Sequence, residues 1–108
     1  MNTAEELVTR TGLPRKAVQA IQEVLARCPA VEQAVLYGSR AKGNYKHGSD
    51  IDLTLKGAAL NYRDLLDLTD ALDELLLPYM MDVSLYAQID NPDLREHIDR
   101  VGIVFYKR

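Results

Sequence analysis

The run Ser49-Asp50-Ile51-Asp52-Leu53-Thr54-Leu55 alternates strictly between polar and apolar residues, which commits it to a half-buried strand. Ile51, Leu53 and Leu55 then face a core, while Asp50 and Asp52 share the opposite face one strand pitch apart. Two carboxylates so close repel each other unless a cation neutralises them, and ligation by oxygen alone suits Mg²⁺ better than zinc. An isolated Asp-x-Asp is usually just an exposed strand face; the stretch before it makes this pair more specific. Ala34-Val35-Leu36-Tyr37 is a short apolar strand, Gly38 permits a sharp turn at its end, and Ser39 suits the N-cap of a short helix over Arg40 to Lys42. Backbone N–H groups, a hydroxyl and the cations of Arg40 and Lys42 would converge there on an anion, for which phosphate is the natural candidate.

Gly38-Ser39-Arg40-Ala41-Lys42-Gly43, followed by Ser49-Asp50-Ile51-Asp52-Leu53, resembles the signature of the DNA polymerase β-like nucleotidyltransferase superfamily, and within it the minimal nucleotidyltransferase (MNT) group. Lys42 stands where related sequences often carry Arg, which keeps the charge and loses the guanidinium fork. The resemblance covers nearly the whole chain. It implies an α/β (α+β) nucleotidyltransferase fold, a mixed twisted sheet with helices packed mainly on one face. It also implies that Asp50 and Asp52 hold two Mg²⁺ ions, with Mn²⁺ able to substitute, and that Asp82, on the strand after the long helix, is the third carboxylate. Gly38 and Ser39 would hold a triphosphate tail, with Arg40 and Lys42 as phosphate neighbours.

The implied reaction moves a nucleoside monophosphate, AMP from ATP, onto a hydroxyl. MNT proteins are typically encoded beside HEPN-domain proteins, and some are antitoxins that adenylylate the HEPN partner. The resemblance therefore implies a type VII antitoxin in a hetero-oligomer with a HEPN toxin, and a tyrosine hydroxyl as the acceptor. Two alternatives remain open: a non-catalytic antitoxin or binding module, and a small-molecule nucleotidyltransferase of the aminoglycoside-modifying kind. The latter usually carry extra helical sequence that shapes the acceptor site.

At 108 residues, 47% of them hydrophobic, the chain is expected to form a single domain over 1–108 with one modest core. A net charge of −3 argues against a protein that holds nucleic acid chiefly by neutralising phosphates. Cys28 is the only cysteine and His47 and His97 share no ligand spacing, so neither a disulfide nor a zinc site is expected. Glu5 and Glu6 near the start, and no run of roughly 20 apolar residues, give the expectation of a cytoplasmic protein with no membrane span.

Thr3 with Glu6 fits a capping box for a first helix that Gly12 would stop. Pro14 suits the first turn of a second helix with Ala17, Val18, Ile21, Val24 and Leu25 inward; Cys28 is expected within that helix and Pro29 at its end. Strands are expected over 31–37 and 50–56. Asn61 and Asp64 resemble the cap of a long helix whose Leu65, Leu66, Leu68, Leu72, Leu75 and Leu76 make a broad apolar face, ended by Pro78. The stretch 79–86 alternates again, with Asp82, Ser84 and Tyr86 opposite Met81, Val83 and Leu85. Asn91-Pro92 opens a last helix with Leu94, Ile98 and Val101 inward, and 103–106 forms a closing strand.

Overall fold

The computed structural model describes residues 3–108. Along the chain it has helices α1 (Ala4–Thr11) and α2 (Arg15–Ala26), strand β1 (Gln33–Tyr37), a short helix α3 (Ser39–Lys42), strand β2 (Ile51–Lys56) and helix α4 (Tyr62–Asp73). Strand β3 (Met81–Leu85), a 3-10 turn (Tyr86–Gln88), helix α5 (Pro92–Val101) and strand β4 (Ile103–Lys107) complete it. The four strands form one mixed sheet in the order β3-β2-β1-β4. β1 is antiparallel to both β2 and β4, and β2 is parallel to β3.

Alternation in the strands sorts the helices. Ala34 and Leu36 of β1, Leu53 and Leu55 of β2, Leu85 of β3 and Phe105 of β4 point to one side. There they meet Leu7 of α1, the Val18, Ile21 and Leu25 stripe of α2, and Leu68 and Leu72 of α4. On the other side Val35 and Tyr37 are covered by Ile98 of α5, with Leu94 and Val101 beside it. Three helices thus back one face while α5 covers only the β1 portion of the other. On that side Thr54 of β2 is buried, Asp52 of β2 is half-buried and Asp82 of β3 is exposed.

Local capping follows the residue chemistry. The Thr3 side chain accepts from Glu6 N–H, and Gly12 ends α1 in the left-handed region. Asn61 and Asp64 form a reciprocal capping box at the start of α4. Asn91 accepts from the N–H groups of Asp93 and Leu94, and Pro92 begins α5, where its missing N–H is not needed.

Several boundaries differ from expectation. Pro14 is the N-cap of α2 and not a member of its first turn. Gly38, and not Ser39, occupies the N-cap of α3, so Ser39 is the first helical residue. Cys28 lies beyond the end of α2, where the turn through Arg27 and Cys28 closes on Val24 and Leu25 carbonyls. α4 ends at Asp73, so Leu76 lies outside the helix, 88% exposed and at φ 55, and Leu66 faces outward on α4. Leu75 and Leu77 do pack on the core. No helix among the described residues is long and apolar enough to cross a membrane.

Candidate active site

Strand register assembles the site. Tyr37 of β1 lies across from Asp52 of β2, and Asp52 lies across from Asp82 of β3. The three side chains form a row over adjacent strands on the face that α5 partly covers, with Tyr37 buried under α5, Asp52 half-buried and Asp82 exposed, and neighbours about 5 Å apart by ordinary strand spacing. One step along, Val35, Thr54 and Ser84 form the next row, and the Ser84 hydroxyl donates to the Thr54 hydroxyl at 3.1 Å. Asp52 and Asp82 are thus brought together. Asp50 precedes β2 and is exposed, one pleat away at the entrance of the row.

Electrostatics marks the same place. Asp52 is held above the ordinary carboxylate pKa, first by burial, then by the charges of Asp82 and Asp50, with His97 acting in the opposite direction. The Tyr37 phenol is also pushed up, by burial and then by Asp82; a hydrogen bond with Ser84 offsets part of this, and Asp52 adds to it. Tyr37 is therefore a neutral hydroxyl beside two carboxylates at neutral pH. Among the described residues, none of Asp50, Asp52 and Asp82 is in an ion pair.

An oxygen-only, uncompensated acidic pair of this kind fits a hard divalent cation such as Mg²⁺. No three described His, Cys, Asp or Glu side chains form a ready-made cage. The fit therefore rests on Asp52 and Asp82, with Asp50 exposed nearby and its charge felt at Asp52. A hollow of about 330 Å³ between α2 and α4, lined by Val24, Cys28, Leu68 and Ala71 among others, includes none of these carboxylates. Asp52 and Asp82 lie on the other face of the sheet.

The Gly38-Ser39 turn adjoins this row at the end of β1. Gly38 has φ 76, and a Cβ there would run into Oδ2 of Asp52. Glycine at this position lets the turn and the carboxylate approach each other. Ser39 is half-buried at the start of α3, and Lys42 is exposed near its end.

Arg40 has a different place from the one expected. It is only 3% exposed. Its Nε donates to the Ser49 carbonyl at 3.0 Å and its Nη1 to the Thr11 carbonyl at 2.9 Å. The guanidinium also lies over the rings of Tyr45 and Tyr79, at 5.3 and 4.9 Å. Arg40 thus ties α1, the 43–49 loop and the approach to β3 together, with Nε and Nη1 engaged by backbone carbonyls. Tyr45 packs so closely over Gly12 that a Cβ there would meet its ring, which anchors the loop further.

The residue that sequence reasoning passed over is His97. From α5 its Nε2 accepts the Gly38 N–H at 3.2 Å, and its ring stands edge-on to Tyr37, with centroids 6.2 Å apart and planes at 82°. A signal was present: position 97 falls on the inward stripe defined by Leu94, Ile98 and Val101. A ligand-spacing test for paired histidines could not detect it.

Comparison with known proteins agrees with this geometry. Residues 19–108 match the family described as Polymerase beta, Nucleotidyltransferase. No curated protein sequence matches the chain. Among solved structures, a candidate minimal nucleotidyltransferase is 30% identical, with a TM-score of 0.62 over 82% of this chain and 89% of that one. A toxin–antitoxin structure with AMP-PNP superposes with a TM-score of 0.68 at 20% identity, over 84% of this chain and 73% of that one. A complex of tri-AMPylated Shewanella oneidensis HEPN toxin with MNT antitoxin superposes with a TM-score of 0.64 at 18% identity, over 87% and 72%. These last two likenesses are of fold. With a glycine turn closing on paired strand carboxylates and a family match over most of its length, the chain belongs to the polymerase β nucleotidyltransferase family, an enzyme family that transfers nucleotidyl groups.

Proposed function

We propose that this protein transfers AMP from ATP to a hydroxyl of a partner protein, and that the partner is a HEPN toxin which the transfer silences. The observation that carries the reading is the Tyr37–Asp52–Asp82 row, with Gly38 packed against Asp52. Two carboxylates that reach solvent, beside one buried neutral phenol, suit a reaction in which an incoming hydroxyl must lose its proton beside a phosphate. The fold shared with an MNT antitoxin bound to a tri-AMPylated HEPN toxin supports the choice of partner and nucleotide.

On this reading Asp52 and Asp82, with Asp50 turned in, hold Mg²⁺. When bound, the metal supplies positive charge that polarises the α-phosphate and balances the departing pyrophosphate. The Gly38-Ser39 turn seats the triphosphate tail, with Lys42 as its nearby cation. Asp82, on the outer strand, accepts the proton of the acceptor hydroxyl. A bond forms between that oxygen and the α-phosphorus as the bond from the α-phosphorus to the pyrophosphate oxygen breaks. Arg40 has no part in the chemistry; it fixes the loop that borders the site. The acidic outer side of α4, with Asp67, Asp70 and Asp73, suits a more basic partner surface. We place the reaction in the cytoplasm, where ATP is abundant.

The test incubates purified protein with Mg²⁺, each nucleoside triphosphate in turn, and the co-expressed HEPN partner, followed by intact-mass measurement. AMP on a partner tyrosine is the expected result. A stable complex that never gains nucleotide would favour neutralisation by contact, and modification of a small hydroxylated metabolite alone would overturn the choice of acceptor.

A further inference from the structure

Gly38 is the least self-constrained residue of the site, at φ 76 and ψ −156 with no side chain to hold it. Yet its bare Cα is the surface on which Oδ2 of Asp52 closes. Its carbonyl accepts the Lys42 N–H at 3.0 Å, and on the strand side its N–H donates to Nε2 of His97 at 3.2 Å. That bond requires a lone pair on Nε2.

His97 is itself held. Ile98, next in the chain, is 2% exposed against Val35 and Tyr37. Arg95 Nη1 donates to the carbonyls of Tyr86 and Ile89 at 3.1 and 2.9 Å, and the Tyr86 hydroxyl donates to Asp99 at 2.7 Å. At the end of α5 a Cβ on Gly102 would meet Val35, which shows how closely the helix approaches the sheet. The imidazole thus reaches the turn from an element with little freedom to move.

We propose that His97 is a positioning residue for nucleotidyl transfer: by accepting the Gly38 N–H it fixes the peptide against which the Asp52 carboxylate rests, and so orients that carboxylate within the row that strand register makes. The inference rests on the reading of Asp52 and Asp82 as the transfer centre. Preorganisation of this kind acts on the chemical step more than on nucleotide capture.

Two variants separate the acceptor from the ring. His97→Phe keeps an aromatic ring against Tyr37 and removes the acceptor, whereas His97→Gln removes the ring and offers Oε1 at comparable reach. In the nucleotide-free protein, Gly38 amide exchange measured by NMR should accelerate in His97→Phe and slow again in His97→Gln. In transfer assays with the full chain, His97→Phe should lower kcat roughly five- to tenfold, the scale of one lost hydrogen bond, with KM for ATP nearly unchanged and partial recovery in His97→Gln. If Phe is not accommodated, His97→Ala is read in the same way.

Unchanged kcat in His97→Phe, unchanged Gly38 exchange, or equal losses in both variants would overturn the proposal, the last because it would reduce His97 to packing. An inactive wild-type enzyme would instead overturn the functional reading, and exchange at Gly38 would still decide whether His97 holds the turn.

Discussion

Asp52 destabilises the nucleotide-free protein at neutral pH. Its folded pKa is raised by burial and by Asp82 and Asp50, so between its unfolded and folded values the native state binds more protons than the unfolded chain. Its contribution is therefore most favourable below about pH 4, the unfolded carboxylate range, and is lost as pH rises through the raised folded value. Asp52→Asn should remove this pH dependence and stabilise the nucleotide-free protein at pH 7, by no more than about 1 kcal/mol because solvent screens the group. It should also abolish transfer. Urea unfolding of both proteins across the acid range checks the first point, and a variant less stable than wild type at pH 7 would refute it. Arg40 makes the opposite case. It lay in the stretch read as phosphate-binding, yet it is buried, with Nε and Nη1 bonded to the Ser49 and Thr11 carbonyls and its guanidinium over two tyrosine rings. Arg40→Ala should lower stability by about 3 kcal/mol, the scale of charged hydrogen bonds lost together with buried packing. Folded Arg40→Ala protein should still bind ATP; a selective loss of ATP affinity with unchanged stability would return Arg40 to the phosphate site.

Among the elements, strands and caps were the readily legible part. Period-two alternation placed β2 and β3, and the Asn61–Asp64 capping box appears as expected, because both depend on neighbours close in sequence. α4 shows where such reading stops. Six leucines suggested one broad apolar face, but the helix ends at Asp73, and Leu76 sits in the left-handed region with its side chain in solvent. A branched side chain there costs about 1–2 kcal/mol that glycine avoids. After allowance for the greater unfolded freedom of glycine, Leu76→Gly should stabilise the protein by about 0.5–1 kcal/mol in thermal or urea unfolding. Destabilisation would mean that the Leu76 side chain packs on something other than water. His97 was missed for a similar reason: its stripe on α5 is readable, but which strand end it overlies depends on packing.

For the whole molecule, what sequence could not supply was strand order. Alternation puts Asp82 on a polar face, but only the parallel pairing of β3 with β2 in the observed register puts it beside Asp52. A slip of one residue would turn it to the opposite face. The expectation of Asp82 as third carboxylate came from resemblance, and the sheet now gives it a physical neighbour. Asp50 was paired with Asp52 by spacing alone; it lies just outside the strand, exposed, with its charge raising the Asp52 pKa. The proposed transfer depends on Asp82 as the proton acceptor in that row. The direct measurement is single-turnover AMP transfer to the proposed HEPN partner by Asp82→Asn, with Mg·ATP affinity measured on the same preparation. The expected rate is lower by about 10² or more, with ATP affinity changed only a few-fold. Transfer by the folded variant at the wild-type rate would contradict it.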